Sequence, residues 1–289
     1  MSPDVDGSGV PAAPGFVGRT TVDLLAPSGD RRPFYGSGLA SAPRQGTCGT
    51  YPPTAYACVG IAAVPDGSGY WLLSTSAYTQ AFGSADPSVS PATCTVFNNG
   101  GALDPGGTTA MAVTASGHGY WMVTGPGYIY GCGDAPPPLG GPTAVRTGGE
   151  NVGIAATGDG RGYWVAGSDG GVFAFGDAGF YGSMGGKKLN SPVVGIAATP
   201  DGKGYWLVAA DGGVFSFGDA AFLGSMGGRH LNGAVVGIAP TPDGDGYWLA
   251  AADGGVFAFG SAPFEGSMAG KPLAQAVTGI ATYAGAVPK

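Results

Sequence analysis

The chain has 289 residues, 59 of them Gly and 24 Pro, with only 11% charged residues and a formal net charge of −7. With 11% aromatic and 44% hydrophobic residues it is not a disordered tail. Gly has no three-residue period, which excludes collagen, and no apolar run reaches the roughly 18–20 residues of a membrane span. Few cations in an acidic chain speak against a general nucleic-acid binder and against adhesion to anionic membranes. Gly and Pro both oppose helix interiors, so the expected product is a turn-rich, all-β protein.

Residues 1–14 read as an N-terminal extension. They have neither a basic start nor an apolar core, so they are not a signal peptide; the expected location is nonetheless extracellular, on a cell surface or in a virion. Residues 15–289 are expected to form one domain. Gly15-Phe16-Val17 stands where later units carry Gly-Tyr-Trp, and Phe34-Tyr35-Gly36-Ser37-Gly38 matches Phe180-Tyr181-Gly182-Ser183-Met184. Four cysteines follow, Cys48, Cys58, Cys94 and Cys132, with no CxxC pair. That disfavours zinc and fits two disulfides in one of three pairings, with Cys48–Cys58 the favoured bond.

From Tyr70 onward the chain repeats. Gly-Tyr-Trp recurs with Tyr at 70, 120, 163, 205 and 247, and residues 163–204 match 205–246 at 29 of 42 positions, which chance does not produce. In the unit beginning at Val193, VVGIAAT and GYWLVAA read as strands around a Pro-Asp-Gly turn. Asp211-Gly212-Gly213 is a hairpin signal, VFSFG is a third strand and FLGSM a short fourth. Four antiparallel strands per roughly 40–45 residues is the pattern of a β-propeller blade. The first-strand motif occurs six times, centred on Ile61, Met111, Ile154, Ile196, Ile238 and Ile280, but Gly-Tyr-Trp only five times. The sixth blade is therefore expected to take one strand from the C-terminus and three from the N-terminus, closing a six-bladed ring without free edges. A parallel β-helix is the competing architecture, but it needs no split terminal repeat.

VVGIAATPDGKGYWLVAADGGVFSFGDA resembles the Gly-Tyr-Trp/Asp-Gly-Gly-Val-Phe repeats of large secreted actinobacterial proteins, and more distantly the YVTN/NHL-type propeller repeat. The resemblance is strongest over 151–289 and implies a propeller; such repeats often accompany cell-wall-associated domains.

The motif search yields no catalytic set. There is no GxSxG elbow, no phosphate-binding loop, no sialidase Asp box and no Asp set apart from turns as a glycosidase acid. Asp243-Gly-Asp245-Gly lacks the ligands of a calcium loop and reads as a solvated turn, as do His118 and His230. The Tyr-Trp pairs, with Phe173, Phe175, Phe215, Phe217, Phe257 and Phe259, read as packing between blades. No cofactor or metal is expected, and no enzyme. Irregularity and cations gather instead in the loops after the fourth strands. These are 39–58 with Arg44, Tyr51 and Tyr56; 88–108 with Cys94, Phe97, Asn98 and Asn99; 136–150 with Arg146; and the compact loops carrying Lys187-Lys188, Arg229-His230 and Lys271. Loops after strands two and four share one face of such a disc, so these residues predict a binding face. The expected function is a non-catalytic structural or binding module in attachment or assembly on a cell envelope or virion, with a protein subunit or wall glycan as partner. The alternative is a lectin-like module, and a glycan-active enzyme comes third.

Overall fold

Short apolar runs cut by Gly-Asp turns favour hairpins. A computed structural model, which describes residues 19–25, 31–33, 58–65, 69–90, 94–96, 107–142, 149–264, 266–273 and 276–285, folds them into six antiparallel sheets. β1 (Arg19–Leu25) and β2 (Arg31–Pro33) belong to a sheet completed by the last strand of the chain. β3 (Cys58–Ala63), β4 (Gly69–Ser74) and β5 (Thr79–Gly83) form the next. β6 (Thr95–Val96) joins β7 (Thr108–Val113), β8 (Gly119–Thr124) and β9 (Ile129–Gly133). Three near-identical sheets follow: β10 (Asn151–Ala156), β11 (Gly162–Gly167) and β12 (Val172–Gly176); β13 (Val193–Ala198), β14 (Gly204–Ala209) and β15 (Val214–Gly218); β16 (Val235–Pro240), β17 (Gly246–Ala251) and β18 (Val256–Gly260). β19 (Gly279–Gly285) then pairs antiparallel with β1.

The first strands of the six sheets touch in a closed cycle, β3 to β7, β10, β13, β16, β19 and back to β3. They therefore surround the centre of a ring. In the first five the ladder slips at the second residue (Val59, Thr109, Val152, Val194, Val236), a bulge that leaves that residue without a cross-strand partner and re-aims it. One residue on, the neighbouring strand comes close: a Cβ on Gly153 would lie 2.9 Å from Ile196 Cγ2.

The terminal pairing differs from the expected one in its register. Val22, Asp23 and Leu24 face Thr282, Ala281 and Ile280, the positions that Tyr205, Trp206 and Leu207 hold against Ala198, Ala197 and Ile196. The second strand of this sheet is thus β1, downstream of Gly15-Phe16-Val17. That tripeptide and the 34–38 segment lie outside the described residues.

The Gly-Tyr-Trp strands are buried along their whole length, and all five Trp are at most 1% exposed. Gly leads each motif because the turn after the third strand folds over it: a Cβ on Gly204 would sit 2.6 Å from Phe217 O and Ala220 N. Trp71, Trp121, Trp164 and Trp206 each pack on the Tyr of the next sheet, as in Trp164–Tyr205 at 5.6 Å and Trp206–Tyr247 at 5.7 Å between ring centroids. Phe175, Phe217 and Phe259 in turn lie against Tyr163, Tyr205 and Tyr247. Phe173, Phe215 and Phe257 are half-buried. The expected packing role of these aromatics holds.

Among the described residues, five sheets have three strands and no fourth. At three seams the segment that should supply it runs instead as a strap between neighbours. Trp164 Nε1 donates to Gly179 O at 2.7 Å within its own unit. Tyr205 of the next unit donates its hydroxyl to Gly182 O at 2.6 Å and accepts from Tyr181 N at 3.3 Å. Trp206, Tyr247 and the 221–224 strap repeat this, as do Trp121, Tyr163 and the 136–140 strap. Buried indole and phenol groups need partners, and bonding to them draws the segment off the sheet edge.

The exception is β6, which lies in the 88–108 insertion and pairs with β9 of the following unit, Thr95 opposite Gly131. That register brings Cys94 to Cys132, and the two form a disulfide. Of the three possible pairings this is the one compatible with Cys48–Cys58. Cys58 is itself disulfide-bonded and lies in β3, not in a loop, and Cys48 is outside the described residues.

Burial pushes the Tyr120 and Tyr163 phenols up to about 12 and raises those of Tyr205 and Tyr247. An unfolded Tyr ionises near about 10. The folded ring holds these protons more tightly, so their contribution to stability is complete below about pH 10 and is lost as pH rises toward about 12. For Tyr120 that amounts to roughly 2–3 kcal/mol. We expect one cooperative alkaline transition in this window, with near-UV dichroism and phenolate absorbance changing together. Smooth ionisation near pH 10 with the fold intact would contradict it.

Candidate functional site

Strand order gives the ring two unlike faces. The lower face carries the turn between first and second strands and the turn that leaves the third. Asp159, Asp201 and Asp243 come from the former, Asp134, Asp177 and Asp219 from the latter, with Asp86 and Asp245 beside them. Thr157 and Thr199, just after their first strands, tie the two turns together. Thr199 Oγ1 lies 2.9 Å from Asp201 Oδ1 and 3.3 Å from Asp219 Oδ1, and Thr157 does the same with Asp159 and Asp177. Lys203 N and Thr199 donate to Asp201 and hold its carboxyl down at about 2. Hydrogen bonds from Arg161 and Thr157 depress Asp159 further, and those from Thr241 and Asp245 N depress Asp243. These turns are self-satisfied. Asp243 and Asp245 are exposed and linked through Asp245 N to Asp243 Oδ1 at 3.1 Å, as the reading of that loop as a solvated turn requires. Among the described residues no group of three or more His, Cys, Asp or Glu is gathered for a metal ion.

The upper face carries the hairpins between second and third strands and the segments leading into the next unit. Backbone bonds knit these across seams: Asn151 N to Gly125 O, Val193 N to Ser168 O, Val235 N to Ala210 O. Here the chain places Lys187, Lys188, Arg229, His230 and Lys271, all exposed. Lys187, Arg229 and Lys271 occur at one per unit, 42 residues apart. Lys187 and Lys188 edge an open cavity of 610 Å³ with Asp169 and Asn190. All five, Lys187, Lys188, Arg229, His230 and Lys271, lie in segments that lead into the next unit, after the third strand of their own. Arg44, Tyr51, Tyr56, Asn98, Asn99 and Arg146 lie outside the described residues.

A feature the sequence reading missed sits at the middle of this face. The bulged residues Val59, Thr109, Val152 and Val194, with Thr75, Thr108 and Glu150, line a cavity of 740 Å³ at the mouth of the bore. The repeated Val-Val-Gly and Thr-Thr-Ala start of the first strand was the signal. A side chain whose position precedes a ladder slip faces the bore, but the slip itself is visible only in the pairing. Exposed Tyr78 stands on the same face, in the hairpin between β4 and β5.

The fold and its faces define a β-propeller. The chain is similar to the β-propeller domain of Cps50 (Swd1) from Myceliophteria thermophila, with a TM-score of 0.54 at 9% identity over 87% of this chain and 82% of that one. That likeness concerns the fold alone. No family model and no curated protein matches the chain. No helix among the described residues is long and apolar enough to cross a membrane.

Proposed function

We propose that the chain is a six-bladed propeller of 15–289 acting as a non-catalytic binding or structural module, in attachment or assembly at a cell envelope or virion surface. The observation that carries this reading is the upper face, where exposed cations recur on three successive blades, Lys187, Arg229 and Lys271, outside an apolar, Thr-lined mouth. Cations on flexible stems at a constant spacing of 42 residues suit a repeating or extended anionic or hydroxylated partner. The carboxylates of Asp86, Asp159, Asp201 and Asp243 are held ionised by hydrogen-bond donors, opposite to the raised pKa that a general acid needs, which supports a non-catalytic role. Disulfide Cys94–Cys132 is consistent with an oxidising, extracellular setting. A lectin-like role is the second reading, favoured by Tyr78, which is 48% exposed; burial of all five Trp leaves the described upper face few stacking platforms.

The test is a glycan array and a pull-down against envelope proteins with the Lys187→Ala/Lys188→Ala/Arg229→Ala variant. Each loses a surface charge and no packing, so we expect an unchanged melting temperature and binding weakened at least about tenfold, the equivalent of about 1.4 kcal/mol. Unchanged binding to both glycan and protein would refute the upper face as the site.

A further inference from the structure

The lower rim carries an apolar row that the fold does not use. Phe180, Phe222 and Phe264 are 61%, 61% and 64% exposed, 42 residues apart, on three successive blades. Each is held outward by its strap. Gly179 O, just before Phe180, accepts the Trp164 indole, and Tyr181 N, just after it, donates to Tyr205 Oη; Phe222 is clamped in the same way by Trp206 and Tyr247. The next strap residue lies over the Gly that ends the neighbouring third strand, Tyr181 over Gly218 and Leu223 over Gly260. The row therefore alternates aromatic and acidic groups: Phe180, then Asp201 and Asp219, then Phe222, then Asp243 and Asp245, then Phe264.

The two ends of each strap are complementary. A strap begins on the lower rim at an exposed Phe and ends on the upper rim at an exposed cation: Phe180 and Lys187, Phe222 and Arg229, Phe264 and Lys271. Both sets have the periodicity of the blades. Among described side chains the lower face has eight Asp against Arg161 and Lys203, whereas the upper has Glu150, Asp169, Asp211 and Asp253 against Lys187, Lys188, Arg229 and Lys271. One face is strongly acidic and the other balanced, with its cations outermost.

We propose that the occupant of the Phe row is a second copy of this chain, docked head to tail, so that the Lys187–Arg229–Lys271 rim of one ring meets the Phe180–Phe222–Phe264 rim of the next. Matching rotational spacing lets blade sit over blade, the cations reach the Asp turns between the Phe side chains, and the Phe side chains are covered. The contact is heterologous, so it does not close on itself and builds stacks. This deepens the reading as an assembly module and rests on it for the upper face.

The experiment is sedimentation velocity on the full chain at low and high salt over a range of concentrations. Wild type is expected to form a ladder of species larger than one chain, weakened by salt. The exposed lower-rim variant Phe180→Ser/Phe222→Ser/Phe264→Ser and the upper-rim variant Lys187→Glu/Arg229→Glu/Lys271→Glu are each expected to be monomeric. Mixed one to one, they are expected to form a dimer and nothing larger, because each retains the rim that the other lacks. A wild type that stays monomeric at every salt and concentration, needing no variant, overturns the proposal. So does a mixture that stays monomeric, or association that either variant alone preserves. If stacking fails while the Lys187→Ala/Lys188→Ala/Arg229→Ala variant still loses glycan or partner binding, only the second-copy assignment falls; if that variant binds normally, the upper-face reading falls instead.

Discussion

Deleting residues 279–289 is expected to abolish cooperative folding of the ring. β19 pairs with β1 over seven residues, touches β3 and β16 on either side, and buries Ile280 and Ala281. Seven lost ladder pairs at about 1 kcal/mol for each hydrogen bond, with about 2 kcal/mol for Ile280, approach the whole stability of roughly 5–15 kcal/mol of an ordinary domain. The deletion also strips β1 of its partner and leaves β3 and β16 facing an opening, which invites edge-to-edge association. The expected result is a broad, non-cooperative melt and aggregation, with partial recovery when a peptide of 277–289 is supplied in trans. An unchanged sharp transition would contradict closure by this strand. Ala281→Pro is a milder version, because proline interrupts a ladder.

Trp206→Ala is expected to cost about 3–5 kcal/mol, the range for removing a buried aromatic. The side chain is 0% exposed, packs on Tyr247 of the next sheet, and donates to Ala221 O at 2.7 Å. Its removal opens a cavity at a seam and releases one end of the strap. Phenylalanine scanning separates the two effects. Trp206→Phe strands the Ala221 carbonyl and is expected to cost about 1–3 kcal/mol beyond the lost volume. Trp71→Phe is expected to cost less, because the Trp71 indole has no hydrogen-bond partner among the described residues. Asp86 O, fifteen residues after Trp71 as Ala221 is after Trp206, is engaged by Val89 N. Chemical denaturation of the three variants gives the comparison; equal costs for both Phe variants would show that the indole bond adds nothing.

What the chain announces in advance follows from what repeats. Gly-Tyr-Trp at a fixed period exposed the second strands, and the surplus first-strand motif around Ile280 exposed the shared terminal sheet. Register was harder to read. Val22-Asp23-Leu24 carries no aromatic signature, so Gly15-Phe16-Val17 was the better match by residue type and the wrong one by pairing. The fourth strand failed for a different reason: FLGSM has strand-like composition, but Trp206 and Tyr247 bond to its backbone, and a backbone acceptor leaves no mark in the sequence. The Cys94–Cys132 bond needed the Thr95–Gly131 register, which two residues of strand cannot reveal. On the candidate face, the cations of the compact loops were legible because their loops have constant length. The bore mouth was not, because a bulge is a property of two strands together.

The pairing of the outermost strands also sets an order of events. Within β14 and β15 partners are close in the chain, Tyr205 with Phe217, whereas Val22 must wait for Thr282. Loop closure over so long a separation is slow, so the local hairpins form while β1 is still unmatched. Only a chain extended as far as Gly285 can complete that match, so a product cut short before Gly279 is marked by an unsatisfied β1 edge.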